Sequence, residues 1–182
     1  MIPSRNQCLE LLRTHNVPRN IISHSLIVSR VAVFLAKELN KKGFDLNIDE
    51  IEAAALLHDI KKIDSLKTGT GHAHDGWLLL RKLGYDEVAE IVKQHVFLDP
   101  NDDSSQIKEE EIVNYSDKRV RHSEIVPLKE RFEYLKGRYG KDEESIKVIN
   151  NLEQKAFEIE NKIFSYIDFK PEEIPKLFRM RD

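Results

Sequence analysis

Apolar residues recur at spacings of three and four along most of the chain, the period of a helix that buries one face. Over residues 20–39, Ile27, Val28, Val31, Phe34, Leu35 and Leu39 form one such stripe. Asn47 with Glu50 three residues on predicts a capped start for a helix through Ile51, Ala54, Ala55 and Leu57 to His58. Gly69, Gly71 and two threonines predict a loop, followed by a helix over 74–83 that stops at Gly84. Asp86 is expected to cap a helix through Val88, Ile91 and Val92 to His95. Residues 99–105 read as a polar, proline-containing loop, and 107–121 as another helix. Pro127 opens the next, which ends near Gly137; residues 142–167 form the last long helix, with a short tail after Pro171. No run alternates at period two, and there is no internal repeat. The expected fold is all-α, a bundle of roughly seven to nine helices given ordinary helix and loop lengths.

The 182 residues fit one domain. Gly140 and Asp142 mark a conceivable boundary, but the last helix alone has nothing on which to bury its stripe. One domain over 1–182 is therefore expected, with a core at about 20–121 and helices 127–178 packed on it. A hydrophobic share of 40% supplies a core without disulfides, and Cys8 is the only cysteine, which suits a reducing cytoplasm. The first dozen residues carry Arg5 and Glu10 and lack an apolar signal core. The longest mostly apolar stretch, near 51–60, is too short and polar to span a bilayer, so no membrane partner is expected. A net charge of −3 and the acidic runs 109–111 and 142–144 oppose duplex nucleic acid as a partner.

Candidate chemistry comes from the seven histidines. His24 precedes Ile27 and Val28 by three and four residues and so shares their buried face. His58 follows Ala54 and Ala55 in the same way, and His95 follows Ile91 and Val92. Asp59 adjoins His58, and Asp117 follows Val113 by four. A lone inward histidine is usually a core residue bonded to a backbone carbonyl. Buried carboxylates, however, need a cation, and one divalent ion at a helix junction would satisfy the whole set. Periodicity leaves both readings open. Mixed imidazole and carboxylate donors suit Mn, Fe, Co, Ni or Zn better than Ca.

The order His24, then His58-Asp59 inside Ala-Ala-Ala-Leu-Leu-His-Asp-Ile-Lys-Lys, then Asp117 inside Asn-Tyr-Ser-Asp-Lys, resembles the HD-domain phosphohydrolase superfamily over residues 20–117. The resemblance implies an all-α bundle of the HD-domain type in which these four residues bind a divalent metal. The segment from Gly71 to Gly76 is similar to a His-x-x-x-Gly element with His72 in the ligand position, His74 being its competitor; spacing favours His72. The segment ending at His95 is similar to a later histidine element. In relatives with both, Asp59 bridges a second ion that His72 and His95 complete. Lys61 stands where many relatives carry glycine, and Lys62 holds the place of a lysine.

The implied activity is a phosphomonoesterase or phosphodiesterase acting on a nucleotide or other phosphorylated small molecule through metal-activated water. Asp59 and Lys62 are the expected catalytic residues, with one or two ions of Mn, Fe, Co, Ni or Zn (Mg is also compatible). Lys61, Lys62, Arg119 and Arg121 are candidate phosphate ligands, weighed against solvated helix-end cations that suit the dipole. Arg131 and Arg138, seven apart, line one helix face or form surface salt bridges. The same ligand set resembles that of mixed-valent di-iron oxygenases, and a non-catalytic regulatory module is a third reading. The seam Ile149, Leu152, Ala156, Ile159, Ile163 and Tyr166 covers under three heptads. Packing on the bundle is expected of it rather than pairing, so a monomer or a homodimer suits the chain. His15 and His122 are expected at the surface, and Trp77 in the core with Leu78 and Leu80.

Overall fold

A computed structural model of the chain describes residues 1–99 and 106–179. Ten helices are present among them: α1 (Arg5–Thr14), α2 (Arg19–Asn40), α3 (Ile48–Leu57), α4 (Lys62–Thr68), α5 (His72–Lys82), α6 (Asp86–Lys93), α7 (Glu109–Lys118), α8 (Leu128–Tyr139), α9 (Glu143–Phe164) and α10 (Ile174–Arg179). The fold is all-α, as expected, with more helices than the periodicity suggested. The extra ones are short. α4 and α10 have seven and six residues, fewer than periodicity needs to declare itself. α1 rests on a capping box in which Ser4 and Gln7 exchange bonds. The proline-containing loop expected at 99–105 lies almost wholly outside the described residues.

α2 is the hub. It is long and apolar enough to cross a membrane by length and composition, which displaces 51–60 as the longest mostly apolar stretch. Here Val28, Val31, Ala32, Leu35, Ala36 and Leu39 are fully buried, and the helix packs chiefly on α3 and α7. α3 also packs on α1, α6 and α7, and α6 on α5. The side chain of Asn47 accepts the Glu50 N–H at the start of α3, as the capping signal predicts.

Between α7 and α8 the structure departs from the sequence reading. α7 ends at Lys118 instead of continuing to residue 121, and the chain forms a two-strand antiparallel ladder, β1 (Val120–Arg121) and β2 (Glu124–Ile125). Residue His122 turns it with φ of 57°, a left-handed conformation. Two-residue strands are too short to show alternation. The α9 seam packs on the bundle: Ile149, Ala156, Ile159 and Ile163 are buried, while Tyr166 is exposed.

A buried ion pair ties α9 to α7. The Arg119 guanidinium donates to Glu160 Oε2 at 3.2 Å, to the Val126 carbonyl at 2.8 Å and to the Pro171 carbonyl at 3.0 Å. It also meets the Tyr115 hydroxyl, which donates to Glu160.

Candidate metal centre

Three histidines reach one junction from three directions. His24 stands in the second turn of α2, His58 closes α3, and His95 lies two residues beyond α6. Their Nδ1 atoms lie 2.9, 2.8 and 2.7 Å from the carbonyls of His122, Ala55 and Val92. A carbonyl only accepts, so each Nδ1 carries the proton and each Nε2 of the neutral ring is left as a bare lone pair. The core reading of an inward histidine therefore accounts for Nδ1 of each ring and leaves each Nε2 able to serve as a metal donor.

The bare nitrogens face carboxylates. His24 Nε2 lies 3.0 Å from Asp117 Oδ1, and His58 Nε2 lies 3.7 Å from the same oxygen and 3.4 Å from Asp59 Oδ2. On the other side, Asp59 Oδ1 is 3.3 Å from His72 Nε2 and 3.8 Å from His95 Nε2, with those nitrogens 3.0 Å apart. His58 Nε2 and Asp59 Oδ1 are buried with no hydrogen-bond partner. Lone pairs facing carboxylate oxygens at such distances repel unless a proton or a cation stands between them. Donors around an ion at about 2.1 Å stand roughly 3–4 Å apart, which is the spacing seen. The atoms form two overlapping groups, His24–His58–Asp59 and Asp59–His72–His95, with Asp59 common to both. Both groups could hold a divalent metal.

The charge states suit ligation. Burial works against ionising Asp59 and Asp117, but His58 and Lys62 outweigh it at Asp59, and Lys118 and His24 at Asp117; both carboxyls sit well below the usual range. Burial, followed by the His58 charge, pushes His95 well below an ordinary imidazole, and burial lowers His72. At His58 burial opposes protonation, yet Asp59 and Asp117 outweigh it and raise the pKa.

The sign of the pH dependence follows. Below the ordinary imidazole pKa of about 6.5, the unfolded chain binds protons that folded His72 and His95 refuse, so their burial costs stability as pH falls. His58 gains a proton readily in the metal-free fold and must lose it to ligate. Metal content after equilibration should therefore be steady above pH 7 and fall below about pH 6. Activity should fall with it; full retention of both at pH 5 would sink this assignment.

The structure brings His72, and not His74, to the junction. α5 starts at His72, two residues before the predicted start, because its first turn carries no apolar signal. His74 is largely exposed, its ring beside Trp77. A Cβ on Gly76, one turn after His72, would stand 3.1 Å from Val92 Cγ1, so the glycine lets α5 lie close against α6. Trp77 itself is half-buried, packed against the core while donating to Glu90 at 2.7 Å, and Leu80 is fully buried, whereas Leu78 is exposed and falls outside the expected core.

Among the candidate phosphate ligands, Lys62 Nζ sits 2.6 Å from Asp59 Oδ2. Lys61 turns instead to Asp64 at 2.7 Å. Arg119 and Arg121 are corrected. Arg119 is two residues past Asp117, and positions two apart face nearly opposite sides of a helix, so Arg119 points into the α7–α9 contact. Arg121 spends its charge on Glu130 at 2.8 Å and Glu124 at 3.5 Å.

Two contributors take places that the sequence does not specify. Lys118 is buried, donates to the His95 carbonyl and lies 3.3 Å from Asp117 Oδ2. Neighbours at i and i+1 do not normally share a face, so no pattern signals it. The His122 carbonyl orients His24 through the backbone, which no residue type announces. His15, expected at the surface, is half-buried and lines a cavity of about 360 Å³ with Thr14, Asn16 and Ile63; Asp59 forms part of its wall.

A model of the HD domain matches residues 21–121, more than half of the chain and the stretch that holds every donor above. The chain belongs to the HD-domain family. In this HD domain the His58–Asp59 doublet stands where the two donor groups meet. An uncharacterised protein of Methanocaldococcus jannaschii is 31% identical over 143 residues, covering 71% of this chain and 83% of that one. A tRNA (cytidine(56)-2'-O)-methyltransferase of Thermoplasma volcanium is 36% identical over 97 residues, 53% of this chain but 27% of the relative. The crystal structure of a predicted HD superfamily hydrolase from an uncultured Thermotogales bacterium is 20% identical. It aligns over 90% of this chain and 93% of that one, with a TM-score of 0.47.

Proposed function

We propose that this HD domain is a metal-dependent phosphohydrolase, acting as a phosphomonoesterase or phosphodiesterase on a nucleotide or another phosphorylated small molecule. The observation that carries the reading is Lys62. Its ammonium is set 2.6 Å from one oxygen of the carboxylate that both donor groups share. His24, His58, Asp59 and Asp117 would hold one divalent ion, and Asp59, His72 and His95 could hold a second; such an ion would supply Lewis acidity and bring the pKa of water towards neutrality.

The chain's own residues do the rest. Asp59 presents one oxygen to each group and aligns the water. Burial disfavours the Lys62 charge, but Asp59 and Asp117 outweigh it and raise its pKa, so a full positive charge stays beside the reacting phosphoryl group. The cavity beside Asp59 offers His15 and Asn16 to the organic part of the substrate. A single domain in the cytoplasm, as monomer or homodimer, is the setting we propose.

The test is metal analysis of protein purified without chelators, then a phosphoester screen with Mn-, Co-, Ni- and Zn-loaded protein. Release of phosphate or alcohol from at least one ester is expected. Two irons and a product that requires O₂ would replace this reading with an oxygenase, for which the donors serve equally. Nucleotide binding without turnover in any metal would leave a regulatory module.

A further inference from the structure

Arg131 lies on the inner side of α8, and nothing described above uses it. Its guanidinium rests 5.9 Å from the centre of the Tyr134 ring. Tyr134 meets the His122 ring edge-on at 5.4 Å, and the His122 carbonyl holds His24 Nδ1 at 2.9 Å. Three contacts thus link Arg131, through Tyr134 and His122, to a donor of the metal centre. Its positive charge is felt at both Lys62 and Lys118, where it disfavours protonation. Yet Arg131 Nε is buried with no hydrogen-bond acceptor, and the guanidinium makes no ion pair among the described residues. The acid beside it in sequence, Glu130, is taken by Arg121 at 2.8 Å.

Lys62 and Lys118 thus stand against the carboxylates Asp59 and Asp117, and Arg131 is near enough for its charge to be felt at both lysines before any metal adds its own. Lys118 is sealed beneath the His95 carbonyl and cannot reach a ligand. Lys62 retains partial exposure, and Arg131 has unspent donors. A buried guanidinium nitrogen without an acceptor is unfavourable as it stands, the more so where its charge repels two ammonium groups, and an anion resolves both defects at once. The planar fork of arginine matches the non-bridging oxygens of a phosphoryl group.

Resting on the phosphohydrolase reading, we propose that Arg131 is a specificity-determining residue. With Lys62 it grips the terminal phosphoryl group, so that a dianionic phosphomonoester is preferred over a singly charged diester. A diester presents one negative charge and an alkyl or aryl group where the guanidinium expects oxygen, and gains little from it.

The test uses the full chain loaded with Mn, with p-nitrophenyl phosphate and bis(p-nitrophenyl) phosphate as substrates and inorganic phosphate as a binding probe. In Arg131→Met, metal content should be unchanged. Phosphate affinity and monoester kcat/KM should each fall by about tenfold or more, while diester kcat/KM moves by less than about twofold. Arg131→Lys should recover part of the monoester rate, and it keeps the test usable if the methionine variant folds poorly. Equal losses on both esters, or phosphate binding that is unchanged in both variants, would overturn the proposal. If the wild type hydrolyses neither ester, the phosphohydrolase reading is judged separately by the wider phosphoester screen, and phosphate titration alone judges Arg131. Binding by the wild type that is lost in the methionine variant upholds the anion site; no binding by the wild type overturns it.

Discussion

Asp59→Ala is expected to abolish metal binding at both donor groups together. Asp59 is the one side chain they share, with Oδ1 3.3 Å from His72 and Oδ2 3.4 Å from His58. Loss of a ligand's supporting partner alone typically costs 10–100-fold in affinity, so loss of a shared ligand should cost at least about 100-fold at each group. On the phosphohydrolase reading, hydrolytic activity should fall by at least about a thousandfold, since the shared carboxylate that aligns the water is gone. Thermal melts provide a readout independent of turnover. At metal concentrations about a thousandfold above Kd, the wild type should gain about 4 kcal/mol, or roughly 8–16 °C in Tm for a chain of this size. The variant should gain no more than about 1.4 kcal/mol, or roughly 3–6 °C. His72→Ala should lose only the second group's ion, and His74→Ala should behave as the wild type. An Asp59→Ala protein that still binds two equivalents would defeat the assignment of the centre.

Arg119→Met is expected to produce the largest loss of stability of any variant discussed here. Arg119 is almost wholly buried and binds four partners on four segments of the chain: Glu160, Tyr115, Val126 and Pro171. Its removal leaves the Glu160 carboxylate mostly buried with only the Tyr115 hydroxyl beside it. Breaking such a pair from one side costs about 3–5 kcal/mol, which corresponds to a fall in Tm of roughly 6–20 °C. Adding Glu160→Leu should restore much of the loss, because the uncompensated charge leaves with it. A phosphate-binding Arg119 would behave in the opposite way, keeping its melting temperature and losing substrate affinity. The comparison therefore checks the structural assignment directly.

Much of this architecture is legible along the chain. Spacings of three and four gave α2 and α9 close to their true bounds, and Asn47 caps α3 as its side chain predicts, whereas Asp86, expected to cap α6, is that helix's first residue and Tyr85 holds the cap position. The same periodicity turned His24, His58 and His95 inward, since a residue's face on its own helix is set by local geometry alone. The His58-Asp59 doublet and Asp117 then pointed to the family.

What the sequence could not settle concerns relations between elements. Which ring nitrogen of each histidine faces the centre depends on carbonyls of Ala55, Val92 and His122, and the last lies 98 residues from His24. The choice of His72 over His74 depends on how closely α5 approaches α6 across Gly76. Arg119, Arg121, Lys118 and Arg131 are long, flexible cations whose identity says nothing of their destination. Arg119 went to Glu160 and Arg121 to Glu130, while Lys118 folded under His95. By itself, then, the sequence determined the helices, their buried faces and the donor types, because these follow from local periodicity and chemistry. Only the tertiary structure decided which donors converge and which cations remain unspent, because convergence depends on the packing of helices far apart in the chain.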